Sequence, residues 1–139
     1  MALTKRTKTI PRGIRNNNPL NIKIGNTWLG ERENPDDPIF EQFVNLRYGL
    51  RAAFIILRRY IRRYGKNTVV TIVHTWSPDG ESIESSYINN VCQFSGLAPD
   101  TPIDYADKET MCKLVCAMAH VECGQEINAN DVSSAYDMA

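Results

Sequence analysis

Apolar residues recur at helical spacing over two long stretches of the chain. Leu46, Leu50, Ala53, Phe54, Leu57, Ile61 and Tyr64 fall on one broad face, which predicts a helix over 46–64 stopped by Gly65. Met111, Leu114, Val115, Met118 and Ala119 do the same within 108–123. Cys112, Cys116 and Ala117 are small enough there for close packing, so this segment is expected to be the central buried helix. A third pattern (Ile83, Tyr87, Val91, Phe94) predicts a helix opened by Ser82 and closed at Gly96. Thr68 can cap a helix over 69–76, but its many β-branched residues suit a strand equally well. Residues 39–44 read as a short strand, able to pair with one around 20–30 as a small β-hairpin beside the helical body. The expected fold class is therefore mainly α.

Between these elements the pattern breaks down in an informative way. Residues 12–30 carry no sustained periodicity in their first half, and Asn16, Asn17 and Asn18 run directly into Pro19, with Asn21 close behind. Asparagine tolerates left-handed backbone and bonds its own main chain, while Pro19 pushes Asn18 towards extended geometry. The expectation is an irregular loop dense in amide donors and acceptors, which suits a neutral, hydroxylated or N-acetylated ligand better than a phosphate. A plain surface turn is the alternative. Pro35 and Pro38, set among acids, forbid regular structure over 31–38, and 97–105 reads as a proline-bearing loop.

At 139 residues the chain suits a single domain, here 12–139, preceded by a basic tail over 1–11. Its net charge of zero hides a division. Residues 1–66 hold 14 Lys and Arg against 5 acids, and 67–139 hold 2 against 11. The basic half could approach an anionic polymer, either nucleic acid or acidic cell wall. Arg58, Arg59, Arg62 and Arg63 lie off the apolar face of the first long helix; a solvated face is favoured there over nucleic-acid binding, because no groove-reading motif accompanies them. No apolar run reaches the length of a membrane span, and no leader pattern is present, so synthesis in the bacterial cytoplasm is expected. Cys92, Cys112, Cys116 and Cys123 lack metal-ligand spacing, and neither a metal nor a cofactor is expected.

The run Gly13-Ile-Arg-Asn-Asn-Asn-Pro-Leu-Asn-Ile22, followed by Trp28-Leu-Gly30, resembles the signature of a family of small bacteriophage and prophage proteins. They are often labelled only as virion structural proteins and are similar to lysozyme-like peptidoglycan hydrolases. Their usual form has Gly where Leu20 stands. The resemblance implies a lysozyme-like helical domain, a helix over 69–76, action in the virion or at the cell wall, and peptidoglycan and other phage virion proteins as partners. Glu81 to Tyr87 matches the family's acid and tyrosine spacing, and is weakly similar to the Glu-Thr-Arg-x-Tyr-Val ending of soluble lytic transglycosylases.

Glu122 is the candidate acid. It sits in the last turn of its helix, where the dipole disfavours negative charge, and apolar neighbours would raise its pKa. A carboxyl kept protonated near neutral pH is what glycoside cleavage needs of a general acid. Ala117 to Gly124 also resembles the Ala-x-x-x-x-Glu-Ser-Gly phrase of lytic transglycosylases, goose-type lysozymes and flagellar-type glucosaminidases, with Cys123 in place of Ser. There the phrase precedes the cleft segment, whereas here it follows the Asn loop, which implies a circular permutant. That order requires 12–30 and 117–124 to meet, with Glu122 within two helix diameters (roughly 20–24 Å) of Asn18. Glu31 is the candidate second carboxylate, beside Trp28-Leu-Gly30. Asn16, Asn17, Asn18 and Asn21 would bond acetamido and hydroxyl groups, and Trp28 and Tyr87 would offer flat faces to sugar rings, unless both are core aromatics. The expected function is cleavage of the β-1,4 glycan strand of peptidoglycan, as a muramidase or lytic transglycosylase. The alternative is an inactive virion structural or wall-binding protein on the same fold.

Overall fold

The computed structural model describes residues 9–139, so most of the expected basic tail, residues 1–8, lies outside the described residues. Six helices follow in order: α1 (Arg12–Arg15), α2 (Leu46–Tyr64), α3 (Val69–Trp76), α4 (Glu81–Ser95), α5 (Lys108–Cys123) and α6 (Ala129–Met138). There is no β-strand among the described residues. The chain is an all-α domain, consistent with a lysozyme-like helical fold.

Local chemistry explains most of the helix boundaries. Asn45 caps α2 by accepting from Tyr48 N, and Gly65 ends it in left-handed backbone at φ 65°. At α3 the helix-or-strand ambiguity is resolved by a reciprocal cap. The Thr68 side chain accepts from Thr71 N while the Thr71 hydroxyl accepts from Thr68 N, which offsets the poor propensity of the β-branched run. Asp107 caps α5 in the same sense, through Thr110 N. The C-terminal helix α6 has no counterpart in the sequence reading. Only Val132 and Ala135 of its ten residues are buried, too sparse a stripe to register as a period.

The core centres on α5. Met111, Leu114, Val115 and Met118 are fully buried in one cluster with Leu50, Phe54 and Leu57 of α2, Ile72 and Val73 of α3, and Val91 of α4. Each such side chain contributes about 1.5–3 kcal/mol relative to exposure. The helical faces are narrower than expected at their ends, since Tyr64, Ile83 and Phe94 are all exposed. α6 closes the far side of α2, where Phe54 meets the edge of Tyr136 at 5.4 Å and Tyr136 Oη donates to the Tyr105 carbonyl at 2.8 Å.

The expected hairpin is reduced to two isolated antiparallel bridges, Lys23 with Phe40 and Glu31 with Phe43. The cause is a change of partner. Ile39 and Glu41 bond to Ile24 and Ile22, but Gln42 and Val44 bond to Arg32 and Gly30, so no ladder runs far enough to become a strand. Phe43 is nonetheless fully buried and pins this region to the helices.

The loop and α2 approach so closely that a side chain cannot fit between them. A Cβ on Gly49 would overlap the carbonyl oxygen of Asn17, a backbone atom that cannot swing aside. Gly49→Ala is therefore expected to destabilise the protein by roughly 3 kcal/mol or more. Urea unfolding checks this, and a loss no larger than that of a surface substitution would show that the two segments separate easily.

Candidate functional site

The Asn loop begins with a single helical turn, α1, rather than being irregular throughout. Asn17 and Asn21 then adopt left-handed backbone, at φ 52° and 54°, a conformation in which asparagine is among the few tolerated side chains. Leu20, the departure from the signature that this loop resembles, is not one of these positions. It is fully buried, and its carbonyl accepts from Trp76 Nε1 at 3.3 Å.

Asn16 and Asn18 have no exposed surface. Asn18 Nδ2 donates to the carbonyls of Ile22 and Glu41 at 2.9 and 3.0 Å, and its Oδ1 accepts from Ile22 N at 2.9 Å. Asn16 Nδ2 donates to Asp37 Oδ2 at 2.8 Å, and its Oδ1 accepts from Gln42 Nε2 at 3.0 Å. Asp37 also takes both nitrogens of the Arg12 fork, at 2.6 and 2.7 Å, and two backbone amides, from Ile39 and Phe40. The Arg12 bonds, aided by those amides and Asn16, hold the Asp37 carboxyl well below the usual carboxylate range. The ligand contacts expected of Asn16 and Asn18 do not fit these positions, because their amides are spent inside the protein. Asn17 is half-buried and donates to the Phe43 carbonyl at 3.0 Å.

Asn21 is different, for it reaches across the fold. Its Nδ2 lies 3.1 Å from Glu122 Oε1 and 3.3 Å from the Glu122 carbonyl, 101 residues along the chain. The other carboxyl oxygen, Oε2, accepts from Tyr87 Oη of α4 at 2.9 Å. Glu122 occupies the last turn of α5, which Gly124 closes at φ 75°. Burial raises its pKa; the bonds from Asn21 and Tyr87 oppose that rise, and the charge of Asp79 adds to it. Tyr87 is itself driven upward, first by burial and then by Glu122, so it stays a donor at any ordinary pH. With 6% of its surface exposed, the Tyr87 ring has no free face for a sugar, and its hydroxyl is the group at the site.

Glu31 and Trp28 form a second cluster. Glu31 Oε1 accepts from Trp28 N at 2.9 Å and so closes the turn that leads to Gly30. The Trp28 ring is half-buried against the core, with its Nε1 enclosed and unpaired. Beside Glu31 stands Glu41, a buried carboxyl absent from the sequence reading, whose pKa is pushed up to about 8 by burial and then by Glu31. No sequence signal marked it, because Glu41, Gln42 and Phe43 are buried in succession and the stretch does not alternate. Glu31 and Glu41 share a cavity of about 230 Å³ with Ile24, Asn26 and Phe40. Among the described residues, no hydrogen bond joins Glu31 to Glu122 or to its two partners. Larger cavities flank Phe94 and Cys116 and are lined by none of the expected site residues. The four cysteines are free thiols, and no cluster of metal-ligating side chains occurs among the described residues. No described helix is long and apolar enough to cross a membrane.

The class these features define is an all-α domain that clamps a partly buried glutamate, at a helix C-terminus, between an amide and a phenol. Comparison with known proteins narrows this. The chain is 38% identical over 117 residues to "Protein P5" of Pseudoalteromonas phage PM2, a match covering 81% of this chain and 71% of that protein. It belongs to the family of that phage protein. No protein-family model matches it.

Burial of Glu41 makes stability depend on pH. The folded state holds the Glu41 proton more tightly than the unfolded chain, whose value is near the ordinary 4.5, so it binds more protons between about 4.5 and about 8. Stability from this group is present below that window and is lost as pH rises through about 8. Glu41→Gln removes the buried titrating carboxyl and should abolish that slope. At about pH 9 it should exceed wild type by roughly 1–3 kcal/mol. Denaturant unfolding across pH tests this, and parallel curves for the two proteins would rule out a raised pKa at Glu41.

Proposed function

We propose that this protein cleaves the β-1,4 glycan strand of peptidoglycan with Glu122 as the general acid. One observation carries the reading: the Asn21 amide and the Tyr87 hydroxyl converge on a carboxyl whose burial favours its protonated form. Such a group donates a proton to the glycosidic oxygen as the bond to the anomeric carbon breaks. Glu31 is occupied with the Trp28 turn and lies beside Glu41 rather than beside Glu122, which favours a route with one protein carboxyl. In that route a hydroxyl of the same sugar attacks the anomeric carbon, and the Glu122 carboxylate takes up its proton, which is the lytic transglycosylase outcome. The permuted order belongs to this proposal, supported by the contact between Asn21 and Glu122. So do peptidoglycan as substrate, action in the virion or at the wall, and Trp28 as a sugar platform.

A non-catalytic virion or wall-binding role is the second reading. It is favoured by one feature, that both Glu122 oxygens already have protein partners while the larger cavities lie elsewhere.

Glu122→Gln separates the two. As general acid, its loss should reduce release of muropeptides from purified peptidoglycan by about 10²–10⁴-fold, with thermal melting nearly unchanged. Because a general acid must be protonated, the wild-type rate should also fall as pH rises through the raised Glu122 pKa. A variant as active as wild type would remove Glu122 from the chemistry. A wild type that releases nothing would favour the non-catalytic role.

A further inference from the structure

The long helix α2 carries six arginines and no acid in its 19 residues. Arg47, Arg51, Arg58 and Arg62 follow one another at spacings of four, seven and four, which places them in a single stripe along about 22 Å of helix. Arg59 and Arg63 flank its C-terminal half. Arg47 pairs with Asp131 at 3.0 Å and Arg51 Nε donates to the Met138 carbonyl at 3.2 Å, so the half of the stripe open to a ligand is Arg58 and Arg62 with Arg59 and Arg63. Among the described residues, the other five have no carboxylate within ion-pairing distance, although the opposite half of the chain is rich in acids.

These side chains are also held in place. The guanidinium groups of Arg58 and Arg62 both stand over the ring of Tyr105, 5.5 and 5.1 Å from its centroid, and Arg63 lies 5.7 Å from that of Tyr64. Tyr105 in turn is fixed by stacking on Tyr136 at 5.3 Å. An arginine packed on an aromatic face keeps its N–H edge free, and that planar fork matches a phosphate oxygen pair. Ordered cations left without acids, in a row, are a binding surface rather than a solvated one.

We propose that the arginine stripe of α2, ordered on Tyr105, binds a linear phosphodiester polymer of the cell envelope and so holds the protein on its substrate. The inference rests on the peptidoglycan reading for its location. An envelope polymer is favoured over duplex DNA because the peptidoglycan reading places the protein at the wall, where the stripe meets such a polymer first; DNA is the competing outcome of the test.

Sedimentation of the full-length protein with three probes tests the proposal: walls retaining their phosphodiester polymers, the same walls stripped of them by hydrofluoric acid, and duplex DNA. Wild type should bind intact walls in a salt-sensitive manner and stripped walls at least about tenfold less tightly. Changing Arg58, Arg59, Arg62 and Arg63 to Gln should weaken binding to intact walls about tenfold and leave binding to stripped walls unchanged, each exposed contact being worth well under one decade. Should that variant melt early, Arg59→Gln with Arg63→Gln, which spares the Tyr105 packing, should give a smaller loss in the same direction. Unchanged binding of both variants to intact walls, or tighter binding to DNA than to walls, would overturn the proposal. Muropeptide release from stripped walls reads the glycan chemistry separately, so either proposal can fail alone.

Discussion

The structure depends on two buried amides. Asn16 and Asn18 sit in the interior with every polar atom bonded, and an unsatisfied amide there would cost on the order of 1–3 kcal/mol. That penalty holds the loop in one shape. Asn18 bridges the segment at Ile22 to the one at Glu41, and Asn16 ties Asp37 and Gln42 to the helical turn of Arg12–Arg15. Neither tie uses regular secondary structure, which is why a stretch with almost no strand and one helical turn can pack as firmly as the helices. The close fit of Gly49 against Asn17 then docks this assembly on α2.

A rigid loop has a consequence for the glutamate. Glu122 stands where its charge is least welcome, at the negative end of a helix dipole and partly out of water. Helix stability alone would favour almost any other residue. Asn21 offsets part of the cost with a donor, but it can do so only because its left-handed backbone and the Asn18 clamp aim it at α5. Tyr87 supplies the second donor from α4. Three segments, far apart in sequence, are thus arranged around one carboxyl, the placement on which the proposed general-acid role rests.

The legible parts of the sequence were those with a period or a cap. α2 and α5 were read to their terminal residues, because a full apolar stripe ends in a glycine that takes up left-handed backbone. Two failures share a physical cause. The helix α6 buries only two residues, and the hairpin dissolved because residues 39–44 change partners midway, so neither follows a single repeating pattern. The asparagines were recognised as unusual, and their density suggested a ligand surface, but composition cannot tell an amide that faces solvent from one that faces Asp37. The same limit hid Glu41, whose neighbour Glu31 is distant enough in sequence that only folding brings the two carboxyls together.

In the permuted arrangement proposed for this chain, the Asn loop precedes the glutamate helix, the reverse of the order in the enzymes whose sequence phrase Ala117 to Gly124 resembles. Order need not matter for the proposed chemistry. Proton donation depends on where the carboxyl lies and on what surrounds it, not on which partner was synthesised first. Here the donor loop comes first and the glutamate helix late, 101 residues on, yet the amide and the carboxyl stand 3.1 Å apart. What rewiring must preserve is the packing that enforces this distance. The buried amides fix the loop internally, the central helix is fixed by its own core, and Leu20 ties the loop to the helical body by its full burial and its bond to Trp76 of α3. Each of these is a spatial constraint, satisfied equally well whichever way the segments are joined.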